Sequence, residues 1–478
     1  MINIRIFGVE MREIITKIGT SLVTKIENVQ RNLFEQLFND TFELAPELAA
    51  IDEVLSDDER LLDEIKQVFD NRSKHSKILG RHSVAVESVV RLILVKHLYN
   101  WTYRFTQQQV RDSYSLRHFT RIYFDKVPHY SILCRYQRLI GAETLQYLHE
   151  KIVRLAKTRK VTDGRKLRVD TTVVETNIHH PTDSGLLSDS VRVLTRVIEK
   201  AKEAGLVSGK IGRNFSRCTK RQVLNIVKFA RGRSDASKEA FKQSYKKIIS
   251  TARRIVKNVR QIREIIKEET DRVVEAIKAE IDHYLPLVQK VISQAKRRVL
   301  KDESVPTEEK VYSIFEPHSY VVRKGKSHKA NEFGQVIKLQ ESDGGIISDY
   351  QTYSSQPNDM GEFIPSIQKH IDIFGRPPHL AAADRGFYSE RNEQTAYEMG
   401  VKRVCIPKKG KISKERKQQQ KSRWFKQGQK FRAGAEGRIS VMKRQHGFDR
   451  CRNKGQAGID CWIAWGVIAK NLKVMATA

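Results

Sequence analysis

The chain has 478 residues, 39% hydrophobic and 30% charged, which excludes a disordered protein and is enough for about two to four domains around a large core. A net charge of +32 and a pI near 9.9 are the footprint of a polyanion binder, nucleic acid ahead of a ribosomal-type or membrane-surface protein. The five cysteines (Cys134, Cys218, Cys405, Cys451, Cys461) contain no C-x-x-C pair, which excludes a disulfide frame or a thiolate zinc site.

No apolar run approaches the length of a membrane span, and Ile2–Val9 is too short and interrupted for a signal peptide. The expectation is a cytoplasmic protein without a membrane partner.

Residues 1–75 read as an acidic helical region. Residues 1–70 hold 7 Lys+Arg against 15 Asp+Glu, so the rest of the chain carries a net +40. Asp57-Asp58-Glu59 ahead of Leu61-Leu62 has the form of a helix start. The region is a partner surface or, preferably, a solvated helical face.

Residues 76–160 read as a helical domain of DNA-binding type. Val84, Val89, Val90, Ile93, Leu94 and Leu98 recur at helical spacing. Thr106 is placed to cap one helix and Ser131 another, whose Arg135 and Arg138 share a face beside Tyr136. Those two arginines are candidates for reading DNA from a helix-turn-helix; an ordinary basic helix surface is the plainer alternative.

Residues 161–187 hold the first strand, Lys166–Val174, with Asp170 in its middle. In the loop that follows, His179 and His180 fit either metal ligation or a polar connection. The connection is preferred, with Asp183 or Ser184 capping the next helix.

Residues 188–305 read as an all-helical insertion. Ile248, Ile255 and Ile262 fall seven apart, and Ile266, Val273 and Ile277 continue the stripe to an interruption near Pro286. Residues 306–478 change to period two. Val311–Phe315, Ser319–Val322, Gln335–Leu339 and Ile346–Tyr350 are expected strands, with turns at Gly325, Gly334 and Gly344-Gly345. Then come a helix at 361–374, a strand at 379–384 ending in Asp384, a helix at 391–399 and a strand at 401–407. A Lys- and Gln-rich loop, 408–430, leads to a helix with Glu436, and an apolar helix closes the pattern at 459–475.

Three separated acids carry the chemistry. Asp170 and Asp384 sit on apolar strands, where a carboxylate is expensive unless paired with a cation. Glu436 lies within residues 402–454, which carry 19 basic and 3 acidic residues. Three hard oxygen ligands suit Mg²⁺ or Mn²⁺, not zinc. Two such ions can activate an attacking oxygen and stabilise a leaving one, with Asp170 as the bridging ligand. In the basic stretch, Lys408 and Lys409 are candidate phosphate contacts, and Trp424, Phe425 and Phe431 are candidate stacking partners among the cations. A merely solvated surface is the alternative.

The order of elements matches a ribonuclease H-like fold: an α/β class with a mixed-sheet catalytic core, a long all-helical insertion after the first strand, and an all-helical N-terminal domain. From about residue 80 onward the chain resembles the DDE transposases of bacterial insertion sequences, most closely the ISNCY-type branch. The carriers are Val169–Ile178, His180–Ser184, Phe315–His318, Arg323–Lys326, Glu332–Gly334 and Ala383–Tyr388, with Glu436 and its surroundings. The resemblance implies Asp170, Asp384 and Glu436 as catalytic metal ligands for two Mg²⁺ or Mn²⁺ ions. Related transposases carry a Tyr-x2-Arg-x3-Glu-x6-Lys signature around the third acid. Arg432, Glu436 and Lys443 keep those spacings, while Gln429 stands at the tyrosine position; Lys443 would contact DNA near the cleaved phosphate. The implied activity is metal-dependent cleavage and strand transfer on double-stranded DNA, at terminal inverted repeats and a target, by a homo-oligomer at the bacterial nucleoid. A nuclease without strand transfer and a domesticated DNA-binding protein are the competing readings.

Overall fold

The structure is a computed structural model that describes residues 21–38, 44–71, 84–207, 214–323, 331–408 and 410–478. Lys409, Lys324, Gly325, Lys326 and the first 20 residues of the acidic region lie outside the described residues.

The sheet is mixed. Strand β1 (Lys166–Glu175) is central, followed in the chain by β2 (Tyr320–Arg323), β3 (Asn331–Ser342), β4 (Ile347–Thr352), β5 (Leu380–Ala383) and β6 (Arg403–Cys405). Their order is β2-β3-β1-β5-β6, with β4 also on β3. β1 pairs β3 antiparallel and β5 parallel, and β5 pairs β6 parallel. The Ala-rich β5 is buried throughout, as a parallel strand covered on both faces must be. Leu167 and Val169 of β1, with Ala381 and Ala383 of β5, pack beneath Phe363 and Ile367 of the helix Asp359–Phe374. On the other face Leu380, Ala382 and Cys405 meet Phe425, while Val174 and Leu339 meet Met442 and Trp462.

Among the described residues the helical insertion has four long helices, Asp183–Glu203, Ser216–Ala230, Asp235–Ile265 and Arg272–Ala295, with a short π-helical end at Lys296–Leu300. Ile248, Ile255 and Ile262 form its buried stripe as expected, and share a core with Leu187, Leu194, Ile277, Val288 and Val291. The helices between 46 and 158 form another core, closed by Trp465, Ile468 and Leu472 of the last helix, Gln456–Ala476.

Several local expectations are corrected. Helix Tyr103–Asp112 is capped by Thr102, whose side chain accepts from Phe105 N, so Thr106 lies inside it. His129, not Ser131, caps Tyr130–Thr158. Thr182 caps Asp183–Glu203, because Asp183 is engaged by Arg298 at 2.7 Å and Gln294 at 2.9 Å. After Asp57-Asp58-Glu59 the next helix starts only at Asp63. The stripe's continuation splits: Ile266 ends one helix and Val273 is exposed at the start of the next. Pro286 lies within an unbroken Arg272–Ala295; the bond lost at its missing N–H is offset by the packing of that helix.

Val311–Phe315 forms no strand. Val311 N donates to Gln294, and Ser313 Oγ accepts from Phe315 N and Glu316 N, so side chains replace a ladder. Gly334 is not a turn but an interior residue of β3, where a Cβ would stand 2.0 Å from Val174 O. The expected loop 408–430 is helical from Lys414: Ser413 caps Lys414–Lys421 and Ser422 caps Arg423–Gln445. Lys and Gln are good helix formers, and two serine caps were enough to start the helices.

Candidate carboxylate centre and its supporting shell

The register of β1 and β5 brings two of the acids together. Val169 pairs with Ala383, so Asp170, midway along β1, and Asp384, the residue after β5, follow side by side where the parallel pairing of the two strands ends. Asp170 Oδ1 accepts from Thr171 N at 2.8 Å and Asp384 Oδ1 from Gly386 N at 2.6 Å.

The two-residue period puts Asp170 on the same face as Arg168 and Val174. That face is crossed by helix Arg423–Gln445. Ala435, Ile439 and Met442 of the helix line a small cavity with Asp170, Leu339 and Glu341. Glu436, one residue past Ala435, therefore rides above the strand that carries Asp170. Its carboxylate is exposed and pairs with Arg432 at 3.3 Å, one helical turn back.

The electrostatics register this gathering. Burial, together with the negative charges of Asp384 and Glu436, pushes the Asp170 carboxyl up to about 6 against the opposing Thr171 N–H and Arg432. The donor set is three carboxylates, hard oxygens that suit a divalent cation, and a cation among them would relieve that strain. With Glu436 turned to Arg432, no group of three acidic, His or Cys side chains among the described residues stands ready as a metal cluster.

The remaining predicted residues divide. Lys443 lies 3.9 Å from Glu332, on the helix that carries Glu436. Gln429, at the tyrosine position, donates to Cys405 O at 3.2 Å and so points into the sheet packing. Lys408 is bonded to Glu390 at 2.6 Å. Arg135 and Arg138 are exposed on the N-terminal helical block; Arg135 stands over the buried Tyr136, and no described contact joins either arginine to the acids. The stacking expectation is corrected for Phe425, which is buried against β5 and β6; Trp424 and Phe431 are half-buried beside it. His179 faces Asp189 at 3.4 Å and His180 meets the edge of Phe333.

Two groups at the centre were not singled out from the sequence: the charges Arg168, Glu341 and Arg438, and the carboxylate of Asp359. Arg168 Nη1 donates to Phe431 O at 2.5 Å, and its guanidinium forms a two-pronged pair with Glu341. Arg438 also reaches Glu341 at 3.2 Å, so one buried carboxylate ties the helix to the sheet. A charged residue at alternate positions of a strand (Arg168, Asp170) was the available signal. Asp359 stands apart from these charges. A Cβ on Gly386 would meet Asp384 Oδ1 at 2.8 Å and Asp359 Oδ2 at 2.9 Å, so a second aspartate flanks the same glycine turn. At a helix start, Asp359 looks like an ordinary first-turn acid.

Residues 39–139 match the family model of a transposase domain (DUF772), and residues 392–476 match that of a transposase DDE domain. The second match takes in Arg432, Glu436 and Lys443 and excludes Asp170 and Asp384. No curated protein and no solved structure matches the chain.

Proposed function

We propose, from the premise that the two transposase domains it carries make this chain an enzyme of the DDE transposase type, that it cleaves DNA at the ends of an insertion sequence and joins them to a target. The observation that carries this reading is the placement of Asp170 and Asp384 at adjacent register positions beneath the helix bearing Glu436. The antiparallel β4-β3-β1 and parallel β1-β5-β6 pairings support a ribonuclease H-like core, and the ISNCY-type branch remains our finer assignment.

Asp170, Asp384 and Glu436 would hold two divalent ions, Mg²⁺ or Mn²⁺. Bound there, they supply activation of the attacking oxygen and stabilisation of the leaving one. The chain's own part is positional. Arg168 and Glu341 hold the Glu436 helix against β1, and Gly386 keeps the turn after Asp384 narrow. Arg432 holds Glu436 aside until ligation, then is free for a phosphate, and Lys443 lies two turns along. Water and the DNA 3′-hydroxyl serve in turn as nucleophile, so no covalent protein intermediate is formed. The helical block at 76–160, with Arg135 and Arg138, would read terminal inverted repeats; the insertion, 188–305, would help pair two ends in a homo-oligomer. The basic segment with Lys408 and Lys409 would contact DNA phosphates.

The test uses a preformed DNA end with a free 3′-hydroxyl, its sequence taken from the DNA flanking the gene. With Mg²⁺ and target DNA the protein should join that end without an energy source, since one phosphodiester replaces another. Metal-dependent nicking with no joined product under any end design would favour a nuclease. Binding with neither product would favour a domesticated DNA-binding protein.

A further inference from the structure

A second polar hollow, of about 190 Å³, lies at the base of the helical insertion. Three elements meet there: the chain leaving β1, the π-helical end of the insertion with Arg298, and the β2–β3 edge with Arg323 and Phe333. Lys310 and Tyr312 close it from the connection between them.

The hollow is cationic by construction. Arg298, Lys310 and Arg323 converge on it, and one carboxylate, Asp183, answers them by pairing with Arg298 at 2.7 Å. Burial and the neighbouring charges of Arg298 and Arg323 hold the Lys310 ammonium below its ordinary range. Its opposite wall is aromatic, with the rings of Tyr312 and Phe333 5.6 Å apart. Cations facing aromatic rings suit a nucleotide, phosphate on one side and sugar or base on the other.

Its position favours DNA over a free metabolite. Phe333 and Arg323 project from the sheet face that bears Asp170, because Asp170 pairs with Leu339 and Arg323 with Asn331, both at even spacing from Phe333.

We propose that this hollow binds the backbone phosphates of a DNA strand whose scissile bond lies at the carboxylate centre, through Arg298, Lys310 and Arg323, with Tyr312 and Phe333 against the adjoining sugar or base. The proposal rests on the transposase reading. It makes the insertion part of the substrate track, with its own phosphate contacts.

The test measures binding of the full-length protein to a blunt DNA duplex of arbitrary sequence across a salt series. Each neutralised phosphate adds about 0.9 to the slope of log affinity against log salt. The double variant Lys310→Ala/Arg323→Ala should lose about two units of slope, and the charge-keeping Lys310→Arg/Arg323→Lys should restore them. Arg298 is left intact because its removal would strand the buried Asp183. An unchanged slope in the alanine variant overturns the proposal. So does an equal loss in the charge-keeping variant, which would mean the positions matter only for folding. If the wild-type protein itself binds no DNA, the transposase reading fails; if it binds and both double variants match it, only the hollow is ruled out.

Discussion

Arg168 and Glu341 form an ion pair at 2.6 Å, with both side chains less than one-tenth exposed, two positions before Asp170 on its strand. The same arginine holds the carbonyl of Phe431 and the same glutamate takes Arg438. One buried pair therefore sets the height of the Glu436 helix above the sheet. Removing one partner leaves the other charged and buried. Glu341→Ala should cost about 3–5 kcal/mol in urea unfolding, while Arg168→Met with Glu341→Leu should cost far less. A Glu341→Ala protein as stable as wild type would show that the pair does not anchor the helix.

The carboxylate centre makes its own prediction. Asp384→Asn and Asp170→Asn preserve shape but weaken hard-cation ligation. Each should abolish strand cleavage and joining while leaving duplex binding in a gel-shift assay intact. Cleavage at near-normal rate by either variant would remove that residue from the chemistry.

Gly386 should prove costly for activity and cheap for stability. A methyl group there would press on the carboxylates of Asp384 and Asp359, so the turn must shift and carry Asp384 with it. Displacements of that kind cost on the order of 10²-fold in rate. Gly386→Ala should therefore melt close to wild type and join DNA ends far more slowly; a normal joining rate would show that the turn tolerates the methyl without moving Asp384.

Lys470 gives a pH-dependent prediction. Its Nζ is buried with no hydrogen-bond partner, and burial lowers its pKa to about 7 from 10.5, with Glu341 opposing and Arg438 and Arg168 reinforcing the shift. Between those values the unfolded chain holds a proton that the folded chain lacks, so this residue makes stability rise with pH. At and below pH 7 its penalty is at its maximum. Lys470→Met should thus stabilise the protein by on the order of 2 kcal/mol at pH 7, with the gain fading toward pH 10. A variant that is less stable at pH 7, or whose gain grows with pH, would contradict this placement of the lysine.

Much of the architecture was legible because periodicity reports local burial. The strand pattern Lys166–Val174 around Asp170, the apolar run before Asp384 and the seven-residue spacing of Ile248, Ile255 and Ile262 each named an element correctly. Misreadings came where a side chain overrode the local pattern. Ser313 and Gln294 took the backbone bonds a strand at 311–315 would have used. Asp183 was drawn from its expected cap to Arg298. Two serines turned a Lys- and Gln-rich stretch into helices.

By itself the sequence singled out three acids as candidates, set the basic field around them and located the strands of Asp170 and Asp384 and the buried stripe of the insertion, since these depend on residue type and local period. Tertiary structure alone decided that Val169 stands opposite Ala383, so that Asp170 and Asp384 come side by side. It also decided that Phe425 is core and that Arg168 and Glu341 share a buried charge. Pairing register and the partners of buried charges join residues more than a hundred positions apart, and no local pattern records which distant group will satisfy a carboxylate.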